Sequence, residues 1–197
     1  MSEVYKVPNP IQRLFPNTMI LDYIDVDKQI LEDLVWWAKA NNFENVGHNP
    51  LYSTRLGDQF IPPKPIWEFQ QAPGINQIMK EVQHYANMWV HTQLESTNYS
   101  AQPEISWIVS YDKGGMQWPH IHKEYNWTAI IGLRNNGTLL LEDPRHLAIG
   151  TGQTNQMFYK EVIINPGQIC ITPGYLAHLS VPCYHDDGRD ILVINGK

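Results

Sequence analysis

Six short runs in the second half decide how this chain folds: ISWIVSYD (105–112), WTAIIGL (127–133), TLLLED (138–143), FYKEVII (158–164), GQICIT (167–172) and DILVIN (190–195). Each is rich in β-branched and aromatic residues, which suit a pleated, half-buried surface. Gly-Gly, Asn-Asn-Gly, Asp-Pro-Arg, Asn-Pro-Gly and Asp-Asp-Gly stand between them as turn signals. No helix-length segment separates the runs, which argues against a parallel βαβ sheet. Upstream, Asp27 is placed to cap a helix through KQILEDLVWWAKANN, with Ile30, Leu31, Leu34, Val35 and Ala38 at helical spacing. A second helix is predicted from about Ile75 to Leu94, with Ile75, Ile78, Met79, Val82, Tyr85, Ala86 and Trp89 on one stripe. A short apolar run before Asp27 reads as an edge strand, and the Asn-, Gly- and Pro-rich residues 42–74 as an irregular working loop. The expectation is one domain over 1–197: helical support at about 25–95 against an antiparallel β-sandwich or barrel at about 103–197.

The densest polar cluster lies between two of these strands, at Trp118-Pro119-His120-Ile121-His122-Lys123-Glu124. Side chains alternate along extended chain, so His120, His122 and Glu124 would share a face and could clasp a divalent metal. An isolated His-x-His is more often a solvated strand end, so the spacing alone says little. The second half adds to it. GQICITPGYLAHLS reads as a strand, a Pro-Gly turn and a strand starting near His178, and Arg189 follows eleven positions later, at the start of the last strand. Two histidines and a carboxylate suit non-haem Fe(II), and an arginine beyond them offers a fixed fork for a carboxylate.

These elements resemble the 2-oxoglutarate- and Fe(II)-dependent oxygenase superfamily, in particular a branch found in phages and marine bacteria. The matching stretches are LFPNT, HIHKEYNWTAIIGL, LEDPR, GQICITPGYLAHLSV and GRDILVIN, and the good correspondence covers roughly residues 103 to 197. The resemblance implies a double-stranded β-helix (a jelly roll) with N-terminal helical buttresses. It implies His120 and His178 as iron ligands and Arg189 as the clamp on the far carboxylate of 2-oxoglutarate. Most of the superfamily has Asp or Glu two residues after the first histidine, whereas this chain has His122. Either His122 ligates in a three-histidine site, as its aligned position favours, or Glu124 supplies the carboxylate. Asp143 is a remoter candidate, better read as a turn residue before Pro144. Tyr111, Asn126 and Thr128 fall where strands would line the barrel mouth and contact the co-substrate. Trp107, Trp118 and Trp127 would shape a pocket or fill the core, and the segment 48–74 would lie over the mouth. The implied reaction takes Fe(II), 2-oxoglutarate and O2, hydroxylates a small molecule or a peptide or protein side chain, and releases succinate and CO2.

Two rivals stand beside this reading: a cupin-type three-histidine metalloenzyme that does not use 2-oxoglutarate, and a non-catalytic β-sandwich binding protein. Composition narrows other classes. A net charge of -6, from 14 basic and 20 acidic side chains, disfavours broad contact with nucleic-acid phosphates. No stretch has the run of apolar residues that spans a bilayer, and no export signal opens the chain. A cytoplasmic protein, in a bacterium or a phage-infected host, is expected. Two cysteines, Cys170 and Cys183, make no disulfide framework. Either a monomer or a homodimer is compatible with the pattern. No phosphate-cradling, dinucleotide-binding or nucleophile-elbow motif is present.

Overall fold

The computed structural model describes residues 11–14, 17–41, 44–45, 57–143 and 159–197. Two helices, α1 (Lys28–Ala40) and α2 (Ile75–Leu94), precede most of the strands. Asp27 caps α1 as expected, its carboxylate accepting from Gln29 N at 2.8 Å. The N-terminal strands are β1 (Ile11–Leu14), β2 (Asn17–Tyr23), β3 (Glu44–Asn45) and β4 (Gly57–Ile61). The C-terminal half supplies β5 (Pro103–Tyr111), β6 (Gln117–His120), β7 (Trp127–Arg134), β8 (Gly137–Glu142), β9 (Tyr159–Ile164), β10 (Gln168–Pro173), β11 (His178–Ser180) and β12 (Arg189–Gly196).

Among the described residues the strands form two sheets, ordered β1-β2-β10-β7-β12-β5-β4-β3 and β6-β11-β8-β9. Every strand pairing within them is antiparallel. This is the helix-buttressed jelly roll that the run pattern and the resemblance pointed to. The large sheet is buried on both faces, so its central strands read as unbroken apolar runs. Period-two alternation divides them. Ala129, Ile131, Leu133, Ile169, Ile171, Leu192 and Ile194 meet Leu31, Leu34, Ile78 and Val82 of the helices. Ile130, Cys170, Ile191 and Val193 point the other way, to Leu139, Leu141, Val162 and Ile164 of the small sheet. Full burial of a side chain such as Leu34 contributes ~2 kcal/mol, and both helices are held to the sheet by such contacts. No helix among the described residues is long and apolar enough to cross a membrane.

Three expectations need correction. The apolar run before Asp27 is not an edge strand: β2 is hydrogen-bonded on one side to β1 and on the other to β10. Its run of buried Thr18, Met19 and Ile20 reflects a two-sided burial that an edge lacks. Residues 42–74 are not wholly irregular, because β4 pairs with β5 and Ile66–Glu68 forms a single 3-10 turn. Residues 66–72 of that segment pack on the helix side of the large sheet rather than over the histidines. Ile66 and Ala72, with Trp67 and Phe69 packed against them, belong to the helix-side core. Residues 48–56 lie outside the described residues.

Candidate metal centre

β6 and β11 are neighbours in the small sheet, and His120 and His178 are direct partners across their register. Opposed residues of an antiparallel pair project to the same face, so a local pairing rule brings together two histidines far apart in sequence. Their ring centroids lie 4.4 Å apart. His122 arrives by a different device. The strand ends at His120, and the chain turns back on itself, Tyr125 N donating to His122 O at 3.0 Å. His122 N in turn donates to Gly174 O at 2.7 Å, and Gly174 N to Asn126 O at 2.9 Å. A Cβ at position 174 would collide with Tyr125 O and His122 O, so only glycine lets the two turns lock this closely. The His122 ring then sits 5.1 Å from His120 and 5.2 Å from His178, nearly parallel to the latter.

The three side chains form a group whose ligand nitrogens all fall within 4.8 Å of one another. His120 Nδ1 donates to Trp118 O at 2.9 Å and His178 Nδ1 to Leu176 O at 3.0 Å. Each carbonyl fixes its tautomer and leaves Nε2 with a free lone pair, the usual arrangement for a metal-bound imidazole. His122 Nε2 is buried with no hydrogen-bond partner among the described residues. Burial holds the His120 imidazolium below its ordinary range. Burial, then His120, takes His122 down to about 4. Burial, with His120 and His122 beside it, takes His178 to about 3. At neutral pH all three are uncharged donors. A buried set of neutral nitrogens with one orphaned atom fits a divalent metal better than it fits a packed apolar core.

Glu124 is outside this group. In the extended chain it would share a face with His122, but the turn at Lys123–Glu124 leaves its side chain exposed. Asp143 is buried just past β8 and is not part of the group either.

A narrow cavity lies beside the histidines, bordered by Tyr111, Gln117 and Ser180 and walled by Trp107, Ile130 and Val193. Arg189 stands behind it, 3% exposed. Its Nη2 donates to Ser180 Oγ, its guanidinium lies 4.3 Å from the Tyr111 ring centre, and its Nε is buried without a partner. The bond it makes among the described residues is to a hydroxyl, none to a carboxylate. Tyr111 pairs with Arg189 in the β5–β12 register and donates to Gln117 Oε1 at 3.1 Å. Burial raises its phenol, with Arg189 and Ser180 opposing.

The other proposed residues divide. Tyr111 borders the cavity. Thr128 is buried on the same inner face, and its hydroxyl donates to Asn195 Oδ1 at 2.9 Å rather than reaching the cavity wall. Asn126 faces a separate surface groove together with Tyr125, Tyr175 and Lys197. Trp107 tilts against His122 at 5.7 Å, Trp127 is wholly buried, and Trp118 is half exposed. Sequence reasoning passed over Ser180 and Asn195. Alternation along a strand could have found both: Ser180 is two residues from His178, and Asn195 shares the parity of Arg189, Ile191 and Val193 on β12.

A double-stranded β-helix carrying a group of three histidines, one buried and two half-buried, is therefore the class that the fold and site define. Solved structures of similar shape bear on it directly. A prolyl-4-hydroxylase from Pseudomonas putida matches over 92% of each chain at a TM-score of 0.62 and 11% identity. The collagen prolyl hydroxylase of Paramecium Bursaria Chlorella virus-1, a complex with 2-oxoglutarate, matches over 90% of this chain and 94% of that one (TM-score 0.60, 11% identity). HygX from Streptomyces hygroscopicus, with nickel and 2-oxoglutarate bound, matches over 90% and 82% (TM-score 0.57, 8% identity). At such identities the likeness establishes the fold. No family model and no curated protein matches the chain.

Proposed function

We propose that this protein is an Fe(II)- and 2-oxoglutarate-dependent oxygenase in which His120, His122 and His178 hold the metal and Arg189, with Ser180, holds the far carboxylate of the co-substrate. The observation that carries the reading is the strand β11. His178 and Ser180 project from it to the same face, two residues or ~7 Å apart, and Ser180 is bonded to the buried Arg189 guanidinium. That separates a metal site from a desolvated cation, which has no carboxylate partner among the described residues, by a span suited to a five-carbon dicarboxylate. A guanidinium buried without a carboxylate partner is costly unless a ligand supplies one.

Bound at such a site, Fe(II) with 2-oxoglutarate and O2 supplies C–H hydroxylation, with release of succinate and CO2. The chain's own residues do the rest. His120 and His178 present fixed Nε2 lone pairs, and His122 closes the set. Arg189 and Ser180 orient the co-substrate by one end. Tyr111 and Gln117 hold each other at the cavity edge, and Trp107, Ile130 and Val193 limit water. The solved neighbours support the class of co-substrate. The primary substrate is a small molecule or a peptide or protein side chain, the kinds that the reaction accepts.

Anaerobic titration of 2-oxoglutarate into Fe(II)-loaded protein should produce a visible charge-transfer band. The band should be lost in His178→Ala, weakened in Arg189→Ala and unchanged in Glu124→Ala. Metal binding with no band, and with no affinity for 2-oxoglutarate, would shift the assignment to a three-histidine enzyme of cupin type. Dependence of metal binding on Glu124 rather than His122 would overturn the three-histidine set.

A further inference from the structure

His120 and His178 have their Nδ1 atoms tied to backbone carbonyls, which only accept, so both are fixed with the proton on Nδ1. His122 is held differently. Its Nδ1 lies 3.0 Å from Asn195 Nδ2, and Asn195 Oδ1 lies 2.9 Å from Thr128 Oγ1. Asn195 is 0% and Thr128 1% exposed, so no water competes for these bonds. An amide that donates to His122 Nδ1 forces the imidazole proton onto Nε2, the atom buried without any acceptor. A half-turn of the same amide exchanges oxygen and nitrogen without changing its shape. Asn195 Oδ1 then accepts from His122 Nδ1–H, and Nε2 turns a bare lone pair on His120 and His178. Thr128 serves either arrangement, because a hydroxyl both donates and accepts.

We infer that Asn195 is a positioning residue for metal binding: its amide orientation selects the tautomer of His122 and so decides whether that side chain is a ligand. The inference rests on the three-histidine site proposed above and adds what makes its third member competent. A carbonyl would lock the ligating tautomer permanently, as at the other two histidines. An amide backed by a hydroxyl allows both tautomers, and metal loading selects one.

The test uses Co(II) alone as probe, with affinity measured by competition against a chromophoric chelator and geometry read from the ligand-field spectrum. Asn195→Leu keeps the shape but leaves Nδ1 unpaired, and should weaken Co(II) binding ~10–100-fold, the usual consequence of losing a partner behind a ligating histidine. Asn195→Asp can only accept from Nδ1–H, so it should bind Co(II) at least as tightly as the wild type. A purely packing role predicts the reverse for the second variant, since a buried carboxylate perturbs the fold more than an amide. Equal weakening in both variants, or no change in Asn195→Leu, overturns the inference. Should either variant fail to fold, the wild-type protein decides. With imidazole nitrogens labelled and Zn(II) bound, NMR should show His122 protonated at Nδ1 and coordinated through Nε2, and coordination through Nδ1 overturns it. Binding that does not depend on His178 would sink the metal site itself, whereas binding that depends on His178 but not on Asn195 sinks this inference alone.

Discussion

Replacing Arg189 by methionine should make the protein more stable and abolish its grip on 2-oxoglutarate. The guanidinium is 3% exposed, and among the described residues what compensates its burial is thin: one bond to the Ser180 hydroxyl and the face of the Tyr111 ring at 4.3 Å. A charge-assisted hydrogen bond contributes ~1.5–3 kcal/mol and a desolvated cation–π contact ~2 kcal/mol. Against these stand an effective desolvation penalty of several kcal/mol for a buried ion and about 1–3 kcal/mol for the orphaned Nε. Methionine fills a similar unbranched volume without charge. The balance favours the variant by ~1–2 kcal/mol, or roughly 2–8 °C in Tm for a chain of this size. On the proposed reading the co-substrate loses its buried ionic partner, which costs ~2–5 kcal/mol, or about 30- to 5,000-fold in Kd. Thermal melts of metal-loaded wild type and variant, each with and without excess 2-oxoglutarate, read both effects. The wild type should melt lower but rise with ligand, whereas the variant should melt higher and not respond. If Arg189→Met melts several degrees lower than the wild type, Arg189 is a structural ion and the co-substrate assignment loses its main support.

Two further outcomes follow from the same geometry. A Cβ at Gly137 would overlap Arg189 Nη1; Gly137→Ala should therefore weaken 2-oxoglutarate binding by about tenfold, or ~1.4 kcal/mol, while Co(II) affinity, read by chelator competition, stays at the wild-type value. The metal-free protein should lose stability in acid. The folded values of His122 and His178, about 4 and about 3, lie below the unfolded value of ~6.5. The unfolded chain therefore binds more protons below that value, and stability falls as pH drops from ~6.5 towards 4, by a few kcal/mol. Urea titrations at pH 7 and pH 5 measure this, and His178→Phe should show a smaller difference between the two.

The two helices were legible because nothing non-local contradicts them: Asp27 caps the first, and their apolar stripes have only one face to bury. The strands were legible as apolar runs, but their partners were not. That β2 is sandwiched between β1 and β10 depends on pairings across most of the chain. Residues 57–61 carry no strong strand signal, and β4 exists because the β5 edge offers it a ladder. At the site, the approach of His120 to His178 follows from register, which no local pattern reveals. Glu124 was misplaced because alternation was carried through Lys123, where the chain turns to meet Gly174. Thr128, expected at the barrel mouth, bonds Asn195, sixty-seven positions away, a partner that no local pattern announces.

Charge explains why the parts of this site belong together on the proposed reading. A site with one carboxylate ligand lowers the charge of a divalent metal by one unit. Three neutral imidazoles lower it by none; burial holds all three below their ordinary range, His122 and His178 well into the acid. Arg189 adds a further buried positive charge behind Tyr111 and Ser180, and among the described residues its side chain bonds a hydroxyl rather than an acid. The protein's overall charge of -6 is spread elsewhere. Such a pocket is incomplete without an anion at each end, and a low-dielectric wall of Trp107, Ile130 and Val193 strengthens the demand. A dicarboxylate meets both ends with one molecule. The replacement of a carboxylate ligand by His122 is on this view no relaxation of the site, because it transfers to the co-substrate a share of the neutralisation that the protein would otherwise supply, and it makes metal and 2-oxoglutarate binding more strongly cooperative than in a site with its own carboxylate.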